Sequence, residues 1–154
     1  MKIAIGCDNL AIDLKRTTID FLKEQDQVQV EIIDFGVNDS EPVDYPDIAE
    51  KVALEVSQGK CERGILICGT GIGMAMAANK VPGIRAAQVY DIYSAERSMK
   101  SNNAQILTLG SLVTGPSLAT KLVEVWLNSE FQGGRSAPKV DKIMAIEDRY
   151  RNGQ

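Results

Sequence analysis

The residues best suited to chemistry are a cysteine and the glycine-rich segment that follows it. Cys68 ends a short apolar run at residues 65–68, and a stretch rich in alanine and methionine begins at Met74. Between them stand Gly69, Thr70, Gly71 and Gly73. Backbone N–H groups in such a loop, at the start of a helix, favour a bound anion. The segment therefore predicts an anion site with a thiol at its rim, and a thiol in that position is a potential base.

Two simpler interpretations of this segment stay open. It matches neither the dinucleotide fingerprint nor the phosphate loop of nucleotide-binding enzymes, and a glycine loop after a strand is commonly just a tight turn. An unpaired cysteine is commonly a small buried apolar residue. Features elsewhere in the chain have to distinguish these interpretations.

The sequence contains no histidine. This absence excludes a Ser-His-Asp triad, a Cys-His dyad and every histidine-ligated metal site within the chain. Acid–base chemistry must therefore come from Cys, Asp, Glu, Lys, Tyr or hydroxyl groups, or from another chain.

The composition is that of one ordinary globular domain, expected over residues 1–154. The chain is 44% hydrophobic and 25% charged, with a net charge of −4 and no basic run, so nucleic-acid binding is not expected. No apolar stretch approaches the roughly 18 residues of a membrane span, and the N-terminus is not that of a signal peptide. Cys7, Cys61 and Cys68 are unclustered, which argues against a disulfide framework and favours a reducing cytoplasm.

Apolar patterning predicts five strands separated by helices. The strands are predicted at residues 2–7, 28–35, 65–68, 84–89 and 106–109. The helices are predicted at 13–25, 44–57, 74–79, 92–101, 116–128 and 139–150, with a polar loop at 36–43. This alternation predicts a three-layer α/β fold whose five-stranded parallel sheet is covered on both faces. In the last helix, Val140, Ile143 and Met144 are expected to be buried.

Polar residues at two strand ends are expected to line one crevice, because ligands of parallel sheets bind outside the carboxyl ends of the strands. Asp8 and Asn9 follow the first predicted strand, and Cys68 ends the third. In such a crevice Asp8 would orient hydroxyl groups of a substrate. As an alternative, Asp8 caps the helix that follows it.

A set of motifs runs from Lys2 to about Tyr150. They are IAIGCD at 3–8, DYPD at 44–47, GILICGTGIG at 64–73, AANKVPGIRA at 77–86, YSA at 93–95, a segment containing Asn102, LGS at 109–111 and EFQGGR at 130–135. In this combination the chain resembles the family of type B ribose-5-phosphate isomerases and galactose-6-phosphate isomerases.

The resemblance implies a Rossmann-like fold, a homodimer or a dimer of dimers, and an aldose–ketose isomerisation without metal or cofactor. It implies that Cys68 takes a proton from the carbon beside the carbonyl group. It further implies that the loop 69–73 holds the enediolate oxygens, and that the Thr70 hydroxyl helps to move protons. Tyr45 would contact the sugar, or else serve as a core or interface tyrosine. The last helix, about 139–150, would pack on a partner subunit.

The chain departs from the family pattern at positions that bind substrate. Asn9 and Ser101 replace histidines of the family, the second of which opens the sugar ring, whereas the neighbouring Asn102 is kept. Leu112 and Ser136 stand at an arginine and a histidine position, and Lys139 replaces a second arginine, while Arg135 is kept. In the family the histidine at position 9 and these arginines bind the phosphate, partly across the dimer interface. Asn9, Ser101, Asn102, Arg135 and Lys139 are therefore the expected substrate-binding residues beside Tyr45 and the loop glycines.

Loss of the ring-opening histidine suggests a substrate that is already open-chain. A tetrose 4-phosphate fits, because its blocked O4 cannot close a furanose ring, and a ribose 5-phosphate or ribulose 5-phosphate type of substrate is the other expectation. Two alternatives to a self-sufficient enzyme stay open: a subunit of a heteromeric galactose-6-phosphate isomerase, and a non-catalytic protein that binds a phospho-sugar. Retention of Cys68 and Thr70 argues against the second, because a binding protein has no use for a carbon base.

Overall fold

The computed structural model of the protein describes residues 1–39 and 42–152, without the side chain of residue 152. Residues 40 and 41 of the predicted loop at 36–43, and the last two residues of the predicted domain, lie outside the described residues. Among the described residues, no helix combines the length and the apolar character that crossing a membrane requires.

Strands and helices alternate as predicted. The strands are β1 (Lys2–Cys7), β2 (Glu31–Asp34), β3 (Arg63–Cys68), β4 (Ala86–Gln88) and β5 (Ile106–Gly110). The helices are α1 (Ile12–Glu24), α2 (Tyr45–Ser57), α3 (Ile72–Ala78), α4 (Ile92–Lys100), α5 (Pro116–Leu127) and α6 (Ala137–Asn152), with a 3₁₀ turn at Gly134–Ser136. All strand pairs are parallel, in the order β2-β1-β3-β5-β4. The predicted three-layer fold with a five-stranded parallel sheet is confirmed.

The two edge strands are shorter than predicted. β2 is Glu31–Asp34 instead of 28–35, and β4 is Ala86–Gln88 instead of 84–89. β2 pairs only with β1, and β4 pairs only with β5. An edge strand has one neighbouring strand and is defined only where the two are hydrogen-bonded. The apolar pattern of these segments continues beyond the hydrogen-bonded residues, so the pattern predicted longer strands.

Apolar side chains fill both faces of the sheet. On one face α1, α4 and α5 pack on the sheet, with Trp126 fully buried among them. On the other face α2 and α3 cover it, and the apolar cluster there includes Leu66, Cys68 and Met74. Successive residues of a strand point to opposite faces, so Cys7 belongs to the first cluster and Cys68 to the second.

A buried ion pair fixes the segment that leads from β2 toward α2. Lys15 is fully buried, and its Nζ donates to both carboxylate oxygens of Asp34 at 2.8 Å. The same Nζ donates to Asn38 Oδ1 at 2.7 Å. A buried ammonium group is tolerated when it is paired and hydrogen-bonded in this way. The contact joins helix α1 to the end of strand β2 and to the segment that follows it.

Helix α6 packs on the rest of the chain through few contacts. Val140 is buried, but Ile143 is 45% exposed and Ile146 is 51% exposed. The predicted burial of Ile143 is therefore wrong for a single chain. Glu147 Oε2 accepts a hydrogen bond from Gly83 N at 2.9 Å, which holds the helix beside the segment before β4. The helix thus presents an apolar face that its own chain leaves uncovered.

Candidate active site at the carboxyl edge of the sheet

Three neighbouring strands end side by side at the site. Cys7 pairs with Ile67 across β1 and β3, so Asp8 stands next to Cys68. Cys68 in turn pairs with Gly110 across β3 and β5. Ser111 Oγ ties the three strand ends together, since it donates to Leu10 O at 3.0 Å and to Cys68 O at 3.2 Å. Strand spacing of about 4.8 Å therefore brings Asp8, Cys68 and the loops after them into one crevice.

The glycine loop after Cys68 lies directly on the end of β5. Gly71 has a φ of +79°, and a Cβ on it would stand 2.9 Å from the Leu109 carbonyl carbon. A Cβ on Gly110 would stand 2.6 Å from the Thr70 carbonyl carbon. Only glycine fits such close backbone approaches, and only glycine adopts this φ without strain. Glycine is therefore required on both sides of this contact, at Gly71 in the loop and at Gly110 at the end of β5.

The carbonyl groups of the loop are held away from the crevice. Ser111 N donates to Cys68 O at 2.8 Å, Leu112 N to Gly69 O at 3.0 Å, and Thr108 Oγ1 to Gly71 O at 3.0 Å. The N–H groups of Gly69 and Thr70 have no hydrogen-bond partner within the part of the chain that the structure describes. Unpaired loop amides of this kind can bind an oxyanion.

Cys68 is almost fully covered in the single chain. Its side chain is 5% exposed, and its Sγ accepts a hydrogen bond from Gly71 N at 3.1 Å. The thiol is less open than its predicted place at a rim suggested, because Met74 and the α2–α3 face pack around it.

Cys7 shows the contrast within the same chain. It is fully buried, and burial raises the pKa of its thiol to about 11, opposed by the nearby positive charge of Lys15. Its Sγ donates weakly to Val37 O at 3.6 Å. Cys7 therefore stays protonated and inert at neutral pH. Cys68 differs from Cys7 in that its sulfur accepts a hydrogen bond from a backbone N–H.

Asp8 is placed beside Cys68 and not on the following helix. The helix-capping alternative is not what the structure shows, because the N-cap of α1 is Ala11 and no side chain caps it. Asp8 is 7% exposed, and burial raises the pKa of its carboxyl group against the lowering effect of its hydrogen bond from Leu10 N. Asn9 follows it in a half-buried turn.

Tyr45 reaches the loop from the start of α2. A Cβ on Gly73 would stand 2.5 Å from the Tyr45 ring, so the ring fills the space that this glycine leaves open. Tyr45 is 41% exposed. It is therefore not a core residue, and its ring lies against the glycine loop.

The other predicted binding residues lie at the opposite edge of the sheet. Ser101 and Asn102 follow α4 and precede β5, whose five residues span roughly 13 Å before Gly110 is reached. Gln132 N donates to Lys100 O at 3.2 Å, which places the segment of Arg135 beside them. A single chain therefore does not bring Ser101, Asn102, Arg135 or Lys139 to Cys68.

A buried arginine fixes this opposite edge. Arg63 begins β3, and its guanidinium donates to Trp126 O at 2.7 Å and to Ser129 O at 2.6 Å. The segment after α5 is thus held at the amino end of the strands. Arg135 and Lys139 are both exposed and have no ion-pair partner among residues 1–39 and 42–152. Both are thus exposed cationic side chains at this edge.

Sequence reasoning missed three residues that touch the loop. Leu10 Cδ1 and Leu112 Cδ1 stand 3.5 Å and 3.3 Å from the position a Cβ on Gly69 would take. Gln88 and Tyr90 both donate to the Thr70 carbonyl oxygen. The sequence had indicated Leu112, whereas Leu10, Gln88 and Tyr90 were not predicted. Tyr90 directly follows a predicted strand, which was the one available signal for its place at the carboxyl edge.

No group of three or more histidine, cysteine, aspartate or glutamate side chains able to hold a metal ion occurs among the described residues.

Comparison with known proteins agrees with this geometry. The family model described as Ribose/Galactose Isomerase matches residues 3–143. The ribose-5-P isomerase B of Listeria innocua is 58% identical over 151 residues, covering 98% of this chain and 100% of the relative. The D-erythrulose-4-phosphate isomerase of Pectobacterium atrosepticum is 52% identical over 152 residues, covering 99% of each chain. The solved ribose-5-phosphate isomerase B of Clostridium thermocellum superimposes with a TM-score of 0.93 at 53% identity, covering 97% of this chain and 99% of that one.

Proposed function

The chain belongs to the ribose/galactose isomerase family, whose members interconvert aldose and ketose sugar phosphates, and we propose that it does so through a cis-enediolate with Cys68 as the base. The Cys68 thiolate takes the proton from the carbon beside the substrate carbonyl. The carbonyl oxygen gains the negative charge, and the resulting thiol returns the proton to the neighbouring carbon. Thr70 moves the hydroxyl proton between the two oxygens, so that atoms and charge balance over the cycle.

One observation carries this proposal. Gly71 N donates to Cys68 Sγ at 3.1 Å, and the unpaired amides of Gly69 and Thr70 follow directly on the sulfur-bearing residue. The same loop can thus favour a thiolate and hold the oxyanion that forms when the thiolate acts. A donor of this kind typically lowers a barrier by about 3 kcal/mol.

The proposed substrate is an open-chain sugar phosphate. Ser101 stands at the position of the ring-opening histidine, and its hydroxyl is engaged by Arg97. A tetrose 4-phosphate needs no ring opening. A ribulose 5-phosphate type of substrate is also open-chain in its ketose form. The two relatives named above, a ribose-5-P isomerase B and a D-erythrulose-4-phosphate isomerase, support both chemistries.

A second copy of the chain completes the proposed site. Ser101, Asn102, Arg135 and Lys139 lie at the edge opposite Cys68, so a partner would present them to the crevice of the first chain. There Arg135 and Lys139 would bind the phosphate together with Asn9. The exposed apolar side chains of α6, Ile143, Ile146 and Tyr150, offer a surface for such a partner. We therefore expect a homodimer, or a dimer of dimers.

Three free, buried cysteines support a reducing compartment, which we take to be the cytoplasm.

Proton exchange tests the function and names the substrate. The purified protein is incubated in D₂O with ribulose 5-phosphate, erythrulose 4-phosphate and tagatose 6-phosphate in turn. We expect deuterium beside the carbonyl of one four- or five-carbon substrate, with formation of the matching aldose. A protein that binds these compounds without exchange would be a non-catalytic binding protein.

A second candidate is a subunit of a heteromeric galactose-6-phosphate isomerase. The absence of histidine and the split between two sheet edges favour it, because another chain would then supply the missing groups. In that case tagatose 6-phosphate exchanges only after a paralogous chain is added. Exchange by the purified protein alone excludes this reading.

A further inference from the structure

Two side chains from the end of the edge strand β4 hold one carbonyl oxygen of the glycine loop. Gln88 Nε2 donates to Thr70 O at 2.5 Å. Tyr90 OH donates to the same oxygen at 3.1 Å, and Gln88 Nε2 also contacts the Tyr90 hydroxyl. We call this pair of side chains the Thr70 clamp.

Peptide geometry links the Thr70 clamp to Cys68. The cis peptide bond among the described residues joins Gly36 and Val37, so the bond between Thr70 and Gly71 is trans. In a planar trans peptide the C=O and N–H groups point in opposite directions. Donors that fix the Thr70 oxygen on one side therefore fix the Gly71 N–H on the other side. That N–H is the group that donates to Cys68 Sγ at 3.1 Å.

The clamp adds two hydrogen bonds to a peptide that also packs on the end of β5. Gly71 has a φ of +79°, and a peptide next to glycine has more rotational freedom than any other. Thr108 Oγ1 holds the following carbonyl, that of Gly71, at 3.0 Å, but it does not touch the Thr70 oxygen. Gln88 and Tyr90 are thus the side chains that hold the Thr70 oxygen, and through the peptide plane they contribute to the orientation of the Gly71 N–H.

The surroundings of Cys68 leave few other groups to set its charge state. The titratable groups that face the crevice are Asp8 from the end of β1, Tyr45 from the start of α2 and Tyr90 from the end of β4. Helix α3 carries none, and the segment 110–113 carries none. No cation occurs among these facing groups, so the backbone donor is the contact that favours a thiolate.

We propose that Gln88 and Tyr90 are positioning residues, which hold the Gly71 N–H on Cys68 Sγ and so keep the sulfur in its reactive form. The inference rests on the proposed function in that it gives Cys68 the role of the base. The link from the Thr70 clamp to the sulfur of Cys68 does not depend on a bound substrate.

Alkylation of Cys68 tests the clamp directly. Wild type, Tyr90→Phe, Gln88→Leu and the double variant are treated with iodoacetamide at neutral pH without sugar, and the background from Cys68→Ala is subtracted. We expect the double variant to react roughly three- to tenfold more slowly, because fewer thiolates form although each is a stronger nucleophile. Each single variant should fall between the two. Tyr93→Phe, which removes the hydroxyl of a 73% exposed tyrosine in the same segment, should react like wild type.

Kinetics separate positioning from loss of the fold. In the active protein the double variant should lower kcat severalfold and leave KM unchanged, because Gln88 and Tyr90 donate to the Thr70 carbonyl oxygen and act through the base. Equal melting temperatures check that the chain is intact. If the double variant is alkylated at the wild-type rate, the proposal is wrong. A change in KM without a change in kcat would also overturn it. If no sugar exchanges in D₂O while the clamp variants still alkylate slowly, the clamp stands and the proposed function fails.

Discussion

Cys68 and Cys7 end neighbouring strands, yet the structure gives them opposite chemistry. Strand alternation points Cys7 to the face covered by α1 and α5. There its Sγ donates to Val37 O, and no donor to this sulfur occurs among residues 1–39 and 42–152. Cys68 points to the other face, where the backbone of the glycine loop supplies an N–H. The two thiols therefore differ in their contacts with backbone groups, and the proposed base is the one that accepts a backbone N–H.

The buried state of Cys7 predicts a pH dependence of stability. Burial raises its pKa from 9.0 to about 11. Above pH 9 the unfolded chain releases this proton while the folded chain keeps it, so the free energy of unfolding falls as pH rises toward 11. This rise of the Cys7 pKa corresponds to roughly 3 kcal/mol of unfolding free energy. Denaturant titrations between pH 8 and 11 should show a steeper loss for wild type than for Cys7→Ala, and parallel curves would contradict the burial effect.

Leu112 predicts a gain of phosphate binding on substitution. Its side chain is 72% exposed and stands over Gly69, at a position where the family resemblance places an arginine. Leu112→Arg should lower the KM of the phosphorylated substrate by about tenfold with little change in kcat, because a guanidinium can form two charge-assisted hydrogen bonds to phosphate. Val113→Arg is the matched control, since Val113 is 57% exposed in the same segment but is not among the atoms above Gly69. Equal effects of both variants would indicate only general charge attraction.

Residue types and motifs predicted those parts of the site that lie at the end of a predicted strand or directly after it. Cys68, its glycine loop and Asp8 follow strands whose ends a parallel sheet must gather at one edge, and the structure places them there. Leu10, Gln88 and Tyr90 were missed because their contacts with the loop depend on the spatial neighbourhood of β1, β4 and β3. No spacing in the chain encodes such contacts.

At the scale of elements, the strand order places the glycine loop between β1 and β5. The order β2-β1-β3-β5-β4 puts β3 at the centre, so its end is flanked by loops from both neighbours. Apolar periodicity predicted every helix and strand, because each element buries one face or both. It overestimated β2 and β4, whose apolar ends pack without forming a ladder. Element ends depend on hydrogen-bonded partners, which the pattern of apolar residues does not contain.

The close approach of the loop to β5 predicts a strong effect of one methyl group. Gly110→Ala places a Cβ 2.6 Å from the Thr70 backbone, which no rotamer change relieves. We expect a loss of roughly 2–3 kcal/mol in stability and about a hundredfold loss of activity from displacement of the loop. Gly115→Ala is the control, because a Cβ there meets nothing within 4 Å and its φ of −68° suits alanine. Denaturant titration and steady-state kinetics of both variants make the comparison, and similar values for the two would contradict the packing shown here.

At the scale of the whole molecule, the predicted site residues divide between two edges of one sheet. Cys68, Asp8 and Tyr45 lie at the carboxyl edge, whereas Ser101, Asn102 and Arg135 lie at the amino edge. The family motifs contain residues of both sets. Their order along the chain separates them, because Asp8 follows a predicted strand whereas Ser101 and Asn102 precede one. Two copies related by symmetry can join the two sets.

This division predicts complementation between two inactive variants. Cys68→Ala and Arg135→Ala should each lose most activity as pure proteins. Unfolded together in equal amounts and refolded, they should recover roughly a quarter of wild-type activity, because half of the dimers are mixed and each mixed dimer holds one intact site of two. Recovery should fail for a mixture of Cys68→Ala with Thr70→Ala, since both changes lie on the same edge. Equal recovery in both mixtures, or none in the first, would contradict a site shared between subunits.

The most direct measurement is proton exchange by Cys68→Ala in D₂O. The account predicts that wild type places deuterium on the carbon beside the carbonyl of an open-chain sugar phosphate. It predicts that the alanine variant, folded with an unchanged melting temperature, exchanges at least a thousandfold more slowly, as expected when a general base is removed. Exchange at the wild-type rate by the variant would show that another group lifts the proton and that Cys68 is not the base.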